Sequence, residues 1–362
     1  MAVAKPADIL SALGAVEDPE LGSDLVALGY VQDVASKAGS VGLTLHLAMP
    51  EGAARAALVE AARAAVAGLP GVDSVDIQVL ADPGERPAVD EGVLSGVRNV
   101  VAVASGKGGV GKSTVAANLA LALKQTGAAV GLLDADMYGP SVPTMFRVSE
   151  PLRVADDNKI LPVEALGIPL MSIGFMAGQG LPVIWRGPMV SNMLQQLLQQ
   201  VAWPPLDYLV VDLPPGTGDT QLTLCQMAPV NGAVIVTTPQ ELSLIDAHRG
   251  LEMFRKLNVP VLGLVENMSG FTCGHCGKVT DIFRRGGGKR IATQLGVPWL
   301  GSVPLDPAVV VAGDEGEPIV VRDPASSGAR AFLAVARTVA ARLHEHNRRQ
   351  ADAPEGELKL NW

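Results

Sequence analysis

The chain has 362 residues, 48% of them hydrophobic, and a formal net charge of −9. That length predicts two domains or one domain with an appendage, and the acidic balance argues against a non-specific nucleic-acid binder, which needs clustered Lys and Arg to displace counterions. No run of about 18 residues is continuously apolar, so no spanning helix is expected; three cysteines, and no apolar signal core within residues 1–21, point to a reducing compartment, the cytoplasm.

Residues 1–81 read as a separate small unit. Ile9, Leu10, Leu13 and Val16 have helical spacing, and Val41, Leu43, Leu45 and Leu47 alternate as on one face of a half-buried strand. Residues 53–69 are alanine-rich and helical, and Val75, Ile77 and Val79 alternate again. The order α-β-β-α-β predicts a small α+β domain. Through Val16-Glu17-Asp18-Pro19-Glu20-Leu21 and Leu28-Gly29-Tyr30-Val31 it resembles the small domain associated with iron–sulfur assembly. Members of that family often carry a cysteine where this chain has Met49-Pro50, so partner docking or a structural role is expected here rather than cluster binding. Residues 82–98 hold Pro83, Gly84, Pro87, Gly92 and Gly96 and read as a linker.

A second domain is expected over residues 99–349. Val100 to Ala104 is an apolar run fit for a buried parallel strand, and Ser113 to Lys124 reads as a helix. Between them, Gly106-Lys107-Gly108-Gly109-Val110-Gly111-Lys112-Ser113 fits G-x-x-x-x-G-K-[ST], followed by Thr114. Glycines let the backbone N–H groups turn inward to cradle phosphate, Lys112 can reach the β- and γ-phosphates, and the Ser113 hydroxyl suits Mg²⁺. Residues 106–114 are thus the candidate ATP-binding loop.

Further strands follow at 128–133, 208–212, 233–237, 261–267 and 297–303, and a helix at 241–256. Asp134 and Asp136 stand at the end of one strand, where ligands bind in doubly wound sheets. Asp212 closes another and fits an acid that holds Mg²⁺ through water. Gly216, in the segment after it, can approach a γ-phosphate closely, and Asp219 can cap the next helix. Five or more β-then-α units predict a doubly wound, mostly parallel α/β sheet. Residues 326–349 form a terminal helix whose apolar stripe reads as core packing, and 350–362 a polar tail that does not support membrane binding. The basic pairs Arg284-Arg285, Lys289-Arg290 and Arg348-Arg349 are too short for a groove binder.

The second lysine, Lys107, makes this loop resemble the deviant Walker A of MinD/ParA-class P-loop ATPases. That resemblance implies that Lys107 reaches the partner's nucleotide across a homodimer. It further implies that Asp136 orients the attacking water, that Asp134 supports the Mg²⁺ shell, that Asn267 contacts the adenine, and that Asp306, in Pro304-Leu305-Asp306-Pro307, closes the base pocket.

Cys273-Gly274-His275-Cys276 offers two thiols close enough to share one metal or cluster, but two thiolates do not complete a four-ligand site. Cys225 lies in another helix. In a two-fold dimer four thiolates would meet, which suits a bridging [4Fe–4S] cluster. The loop, the switch segments, the cysteine pair and Gly286-Gly287-Gly288-Lys289 together resemble the Mrp/ApbC iron–sulfur carrier family across nearly the whole chain. The resemblance implies an ATP-hydrolysing carrier that hands its cluster to apoproteins. Four alternatives stay open at this stage: zinc at the same thiolates, disulfide exchange at Cys-Gly-His-Cys, two merely structural thiols, and a MinD/ParA-type spatial-organising switch. A regulatory module that hydrolyses little is a weaker fifth.

Overall fold

Val97–Ser105 (β1) is buried along its length except at Arg98, because both of its faces are covered and its edges are paired. In this computed structural model β1 is joined by Val130–Asp134 (β2), Val163–Ala165 (β3), Ile168–Ser172 (β4), Leu206–Asp212 (β5), Val230–Thr237 (β6), Val261–Glu266 (β7) and Trp299–Ser302 (β8) in one eight-stranded sheet. The order across it is β3-β4-β2-β5-β1-β6-β7-β8. Every neighbouring pair is parallel except β3–β4.

The structure describes residues 4–18, 23–28, 30–37, 39–47, 53–80, 93–94, 96–149, 151–155, 158–176, 187–273, 275–276 and 278–351. Two compact units divide the chain, residues 1–88 with 340–362, and residues 89–339. Most of the expected linker, Met49-Pro50 and the tail beyond residue 351 lie outside the described residues.

In the first unit, strands Val31–Lys37 and Ser40–His46 form an antiparallel pair, and Ser74–Leu80 adds in parallel beside the second. Helices Pro6–Leu13 and Ala53–Ala67 accompany this sheet. Val41, Leu43, Leu45 and Leu47 are all buried, with Ile9, Leu13, Ala62 and Val66 in the same core. The alternation read in the sequence is therefore the inner face of this sheet.

In the second unit the sheet's helices include Lys112–Lys124 (α1), Gly187–Gln199 (α2), Asp219–Met227 (α3), Glu241–Lys256 (α4), Gly287–Leu295 (α5), Pro307–Asp314 (α6) and the start of Ser327–Ala351 (α7). The apolar strands are continuous runs rather than alternating ones because parallel sheets are covered on both faces. Val103, Leu133, Val211, Ile235 and Leu264 are at most 1% exposed, each worth about 1.5–3 kcal/mol in burial. After β1 the chain crosses to β2, returns to place β5 between them, and then proceeds to β6 on the other side. The C-terminal end of β1 is thus a topological switch point, where crevices open in such sheets. Among the described residues no helix is long and apolar enough to cross a membrane.

Candidate functional site

The loop leaving β1 is shaped by its glycines. Gly109 and Gly111 take φ of 79° and 80°, in the left-handed region that side chains resist. Gly106 is required for space: a Cβ there would fall 2.1 Å from the backbone of Asp246 in α4. The Ser105 hydroxyl donates to the Lys107 carbonyl (2.9 Å), and the Gly216 N–H donates to the Ser105 carbonyl (2.9 Å). The loop and the segment after β5 are thereby held side by side.

Lys112 opens α1 and is buried. Its ammonium lies 2.5 Å from Asp212 Oδ1, 3.3 Å from Asp136 Oδ2 and 3.3 Å from Ser113 Oγ. Asp212 closes β5 and Asp136 lies two residues past the end of β2; the two strands are adjacent and in register at Asp212 and Asp134. Burial pushes the Asp212 carboxyl above its ordinary range, with Lys112 pulling the other way. Asp134 is pushed up to about 7 by burial and then by the charge of Asp212. It accepts hydrogen bonds from the Ser172 hydroxyl (2.8 Å) and from the N–H groups of Asp136 (3.1 Å) and Val142 (3.3 Å).

This corner fits a divalent cation. Asp212 Oδ2 is buried without a hydrogen-bond partner, a cost that a hydrated cation would remove. Ser113 and Asp212 supply hard oxygens, and Asp134 stands behind them, which is a Mg²⁺ donor set.

Asn267 lies at the end of β7. Its side-chain amide donates to the Val110 carbonyl of the loop (2.9 Å), and its backbone N–H to Thr237 (2.8 Å). Asp306 accepts from the Ala308 N–H (2.9 Å) and caps α6. The structure therefore brings the loop, Asp134, Asp136, Asp212 and Asn267 together. Among the described residues no hydrogen bond or ion pair joins the Asp306 side chain or the Lys107 ammonium to Asp134, Asp136, Asp212 or Asn267.

The cysteines stand on a hairpin. Phe271–Thr272 pairs with Val279–Thr280, and the Cys273 N–H donates to the Lys278 carbonyl (3.0 Å). Cys273 is half-buried and Cys276 exposed, and both are free thiols. Hydrogen bonds from the Cys276 and His275 backbone hold the Cys273 thiol below its ordinary range. Cys225 is buried, and burial pushes its thiol up to about 12. Among the described residues no three His, Cys, Asp or Glu side chains cluster to hold a metal.

Sequence reasoning missed two supporting residues. Ser172 carried no signal, since it closes a strand, β4, that was not expected. Glu266 lies within the expected strand 261–267 with no signal of its own, yet its carboxylate is buried and accepts from the Ser269 hydroxyl and from the Gly286 and Gly288 N–H groups.

Comparisons with known proteins bear on the family and the fold. A family model described as NUBPL iron-transfer P-loop NTPase matches residues 96–340. A model described as iron-sulfur cluster assembly protein matches residues 6–79. The iron-sulfur cluster carrier protein of Synechocystis is 48% identical over 341 residues, covering 92% of this chain and 97% of its own length. The mouse iron-sulfur cluster transfer protein NUBPL is 51% identical over 252 residues, covering 69% of this chain and 79% of its own. A nucleotide-binding protein from Archaeoglobus fulgidus, solved in complex with ADP, has 39% identity and a TM-score of 0.58 over 66% of this chain and 93% of that one. The cell division ATPase MinD of Pyrococcus furiosus, at 23% identity and a TM-score of 0.50, covers 67% of this chain and 98% of its own and shares the fold. With a match across most of its length, the chain belongs to the family of NUBPL iron-transfer P-loop NTPases.

Proposed function

We propose that this protein is an ATP-hydrolysing carrier that binds a [4Fe–4S] cluster as cargo between two copies of itself and transfers it to apoproteins in the cytoplasm. One observation carries the reading: an accessible pair of free thiols sits on a hairpin that starts beside Asn267, the residue bonded to the phosphate loop. Two thiolates are half of a cluster's ligand set, so a second copy supplies the rest. Exposed apolar side chains on the elements involved, Leu242 and Ile245 of α4 and Val279 and Ile282 near the thiols, are consistent with a partner surface. The relatives named as cluster carrier and cluster transfer proteins support the cargo, and the ADP complex of the Archaeoglobus protein supports the nucleotide.

In this reading the N–H groups of residues 106–114 and the Lys112 ammonium hold the phosphates. Ser113 and Asp212 would hold Mg²⁺, with Asp134 behind them; the ion would neutralise charge on the β- and γ-phosphates. Asp136, released from Lys112 when phosphate takes its place, orients the attacking water with its carboxylate. Lys107 reaches the nucleotide of the other copy, and Asn267 and Asp306 border the base.

The test is anaerobic. Wild type and a Cys273→Ser/Cys276→Ser variant are reconstituted with iron and sulfide and compared by visible and Mössbauer spectroscopy. Transfer to an acceptor is then followed with and without ATP. A cluster held equally by the double variant sinks the cargo site, and equal transfer rates for wild type and Lys112→Ala sink the coupling. Cosedimentation with liposomes or DNA would instead reveal a MinD/ParA-type switch.

A further inference from the structure

We infer that Glu266 is a positioning residue that ties the cysteine hairpin to the nucleotide loop, so that the state of the loop sets the state of the thiols. The proposal rests on the cluster-carrier reading only for its use, not for its geometry.

The segment carrying both thiols leaves the sheet at Asn267 and returns at α5. Its two roots are fastened by one side chain. Glu266 Oε1 accepts from the Ser269 hydroxyl (2.5 Å) on the outgoing root and from the Gly286 N–H (2.9 Å) on the returning root. Oε2 accepts from the Gly288 N–H (2.6 Å) in the first turn of α5. The carboxylate is fully buried. A buried charge is tolerable only when its lone pairs are satisfied, and here N–H groups at a helix N-terminus, whose dipole favours an anion, do so. Gly286 is in the left-handed region at φ 78°, and a Cβ on Gly288 would lie 3.0 Å from the Glu266 side chain. The glycine run therefore lets the returning backbone close on the carboxylate.

The next residue in the chain makes the link. Asn267 donates from its side chain to the Val110 carbonyl, in the middle of the phosphate loop. Its backbone and that of Glu266 are fixed in the sheet by Thr237 and Val303. Beyond them, Ser269 donates to Val303, Leu305 donates to Gly270, and the hairpin begins at Phe271. A shift of Val110 on nucleotide binding thus acts on Asn267, and through the adjoining Glu266 on both ends of the hairpin. No other side chain among the described residues bonds both roots.

The experiment uses the whole chain with no iron or sulfide loaded. The rates at which Cys273 and Cys276 are alkylated are measured by peptide mass spectrometry, with and without ADP·Mg²⁺. Wild type is expected to show a nucleotide-dependent change of about fivefold or more, the low end of ordinary coupling between two sites. Glu266→Gln keeps the shape but turns amide hydrogens toward donors, and should lose most of that change while binding ADP as wild type does. A nucleotide response retained in Glu266→Gln overturns the proposal, and so does its absence from wild type. If Glu266→Gln fails to bind ADP, Ser269→Ala decides, since it frees only the outgoing root: loss of the response supports the link and retention overturns it. Because the readout needs no cluster, a wild type that fails to take up iron and sulfide sinks the carrier reading and leaves this one standing.

Discussion

Lys112 Nζ sits 2.5 Å from Asp212 Oδ1, so the lysine that follows the glycine loop and the acid that closes β5 neutralise each other as a buried ion pair. Asp136 shares the same ammonium at 3.3 Å. The pair is buried on both sides, and removing one partner of a buried pair leaves an uncompensated charge. Lys112→Ala is therefore expected to cost about 3–5 kcal/mol of nucleotide-free stability at neutral pH. Urea denaturation with Mg²⁺ chelated measures it. The loss should shrink as pH falls and Asp212 takes a proton. The same variant should lose ATP turnover by about 100-fold or more, as expected when a preorganised charge is removed.

Asp134 gives the nucleotide-free protein a pH dependence of definite sign. Its carboxyl is pushed from the ordinary 3.8 up to about 7. Between those values the folded protein holds a proton that the unfolded chain has released. Folding stability from this group is full below about pH 4 and is lost as pH rises through 7, with a slope on the order of 1 kcal/mol per pH unit. Asp134→Asn, which cannot titrate, should flatten stability between pH 4 and 7. Denaturant midpoints across that range, without Mg²⁺ or nucleotide, check it. An unchanged slope would assign the titration to Asp212.

The phosphate loop was legible because its chemistry constrains consecutive residues: glycines at 106, 109 and 111, then Lys112 and Ser113. Helix 241–256 and the long apolar strands were legible for a similar reason, since a buried parallel strand must be apolar throughout. The edge strand β3 and its neighbour β4 were not. Val163–Ala165 is short and only half-buried, and the segment before α2 carries no clear period. Nor was Glu266 as a clamp, because its partners are a serine hydroxyl and backbone N–H groups of glycines distant in sequence. Asn267 was placed by resemblance at the adenine; the hydrogen bond to Val110 depends on the register of β6 and β7, which no local pattern reveals.

Gly111 is constrained twice. Its φ of 80° disfavours any side chain, and a Cβ would fall 2.2 Å from Asn267 Nδ2. Gly111→Ala should cost roughly 1–3 kcal/mol in backbone strain, together with the Asn267–Val110 hydrogen bond. Asn267→Ala removes the clash but not the strain. The double variant should therefore be more stable than the sum of the two single losses predicts, with a coupling of about 0.5 kcal/mol or more. Thermal or urea unfolding of the four proteins completes the cycle. Strict additivity would mean that the loop gives way without pressing on Asn267.

The three cysteines should separate by reactivity. Cys276 is exposed, and Cys273 is half-buried with its thiol held below the ordinary range by hydrogen bonds from the Cys276 and His275 backbone. Cys225 is buried in α3 with its thiol pushed up to about 12. Alkylation proceeds through the thiolate. In native protein at pH 7.5, iodoacetamide should modify Cys273 and Cys276 while leaving Cys225 unmodified until denaturant is added (the pH is about one unit below an ordinary thiol's pKa). Peptide mass spectrometry reads this directly. Cys225→Ser should leave iron and sulfide uptake at the wild-type level, whereas Cys273→Ser and Cys276→Ser should each abolish stable uptake, because either one takes two thiolates from the proposed site between two copies. Full uptake by either single variant would show that the cluster is not held by that pair.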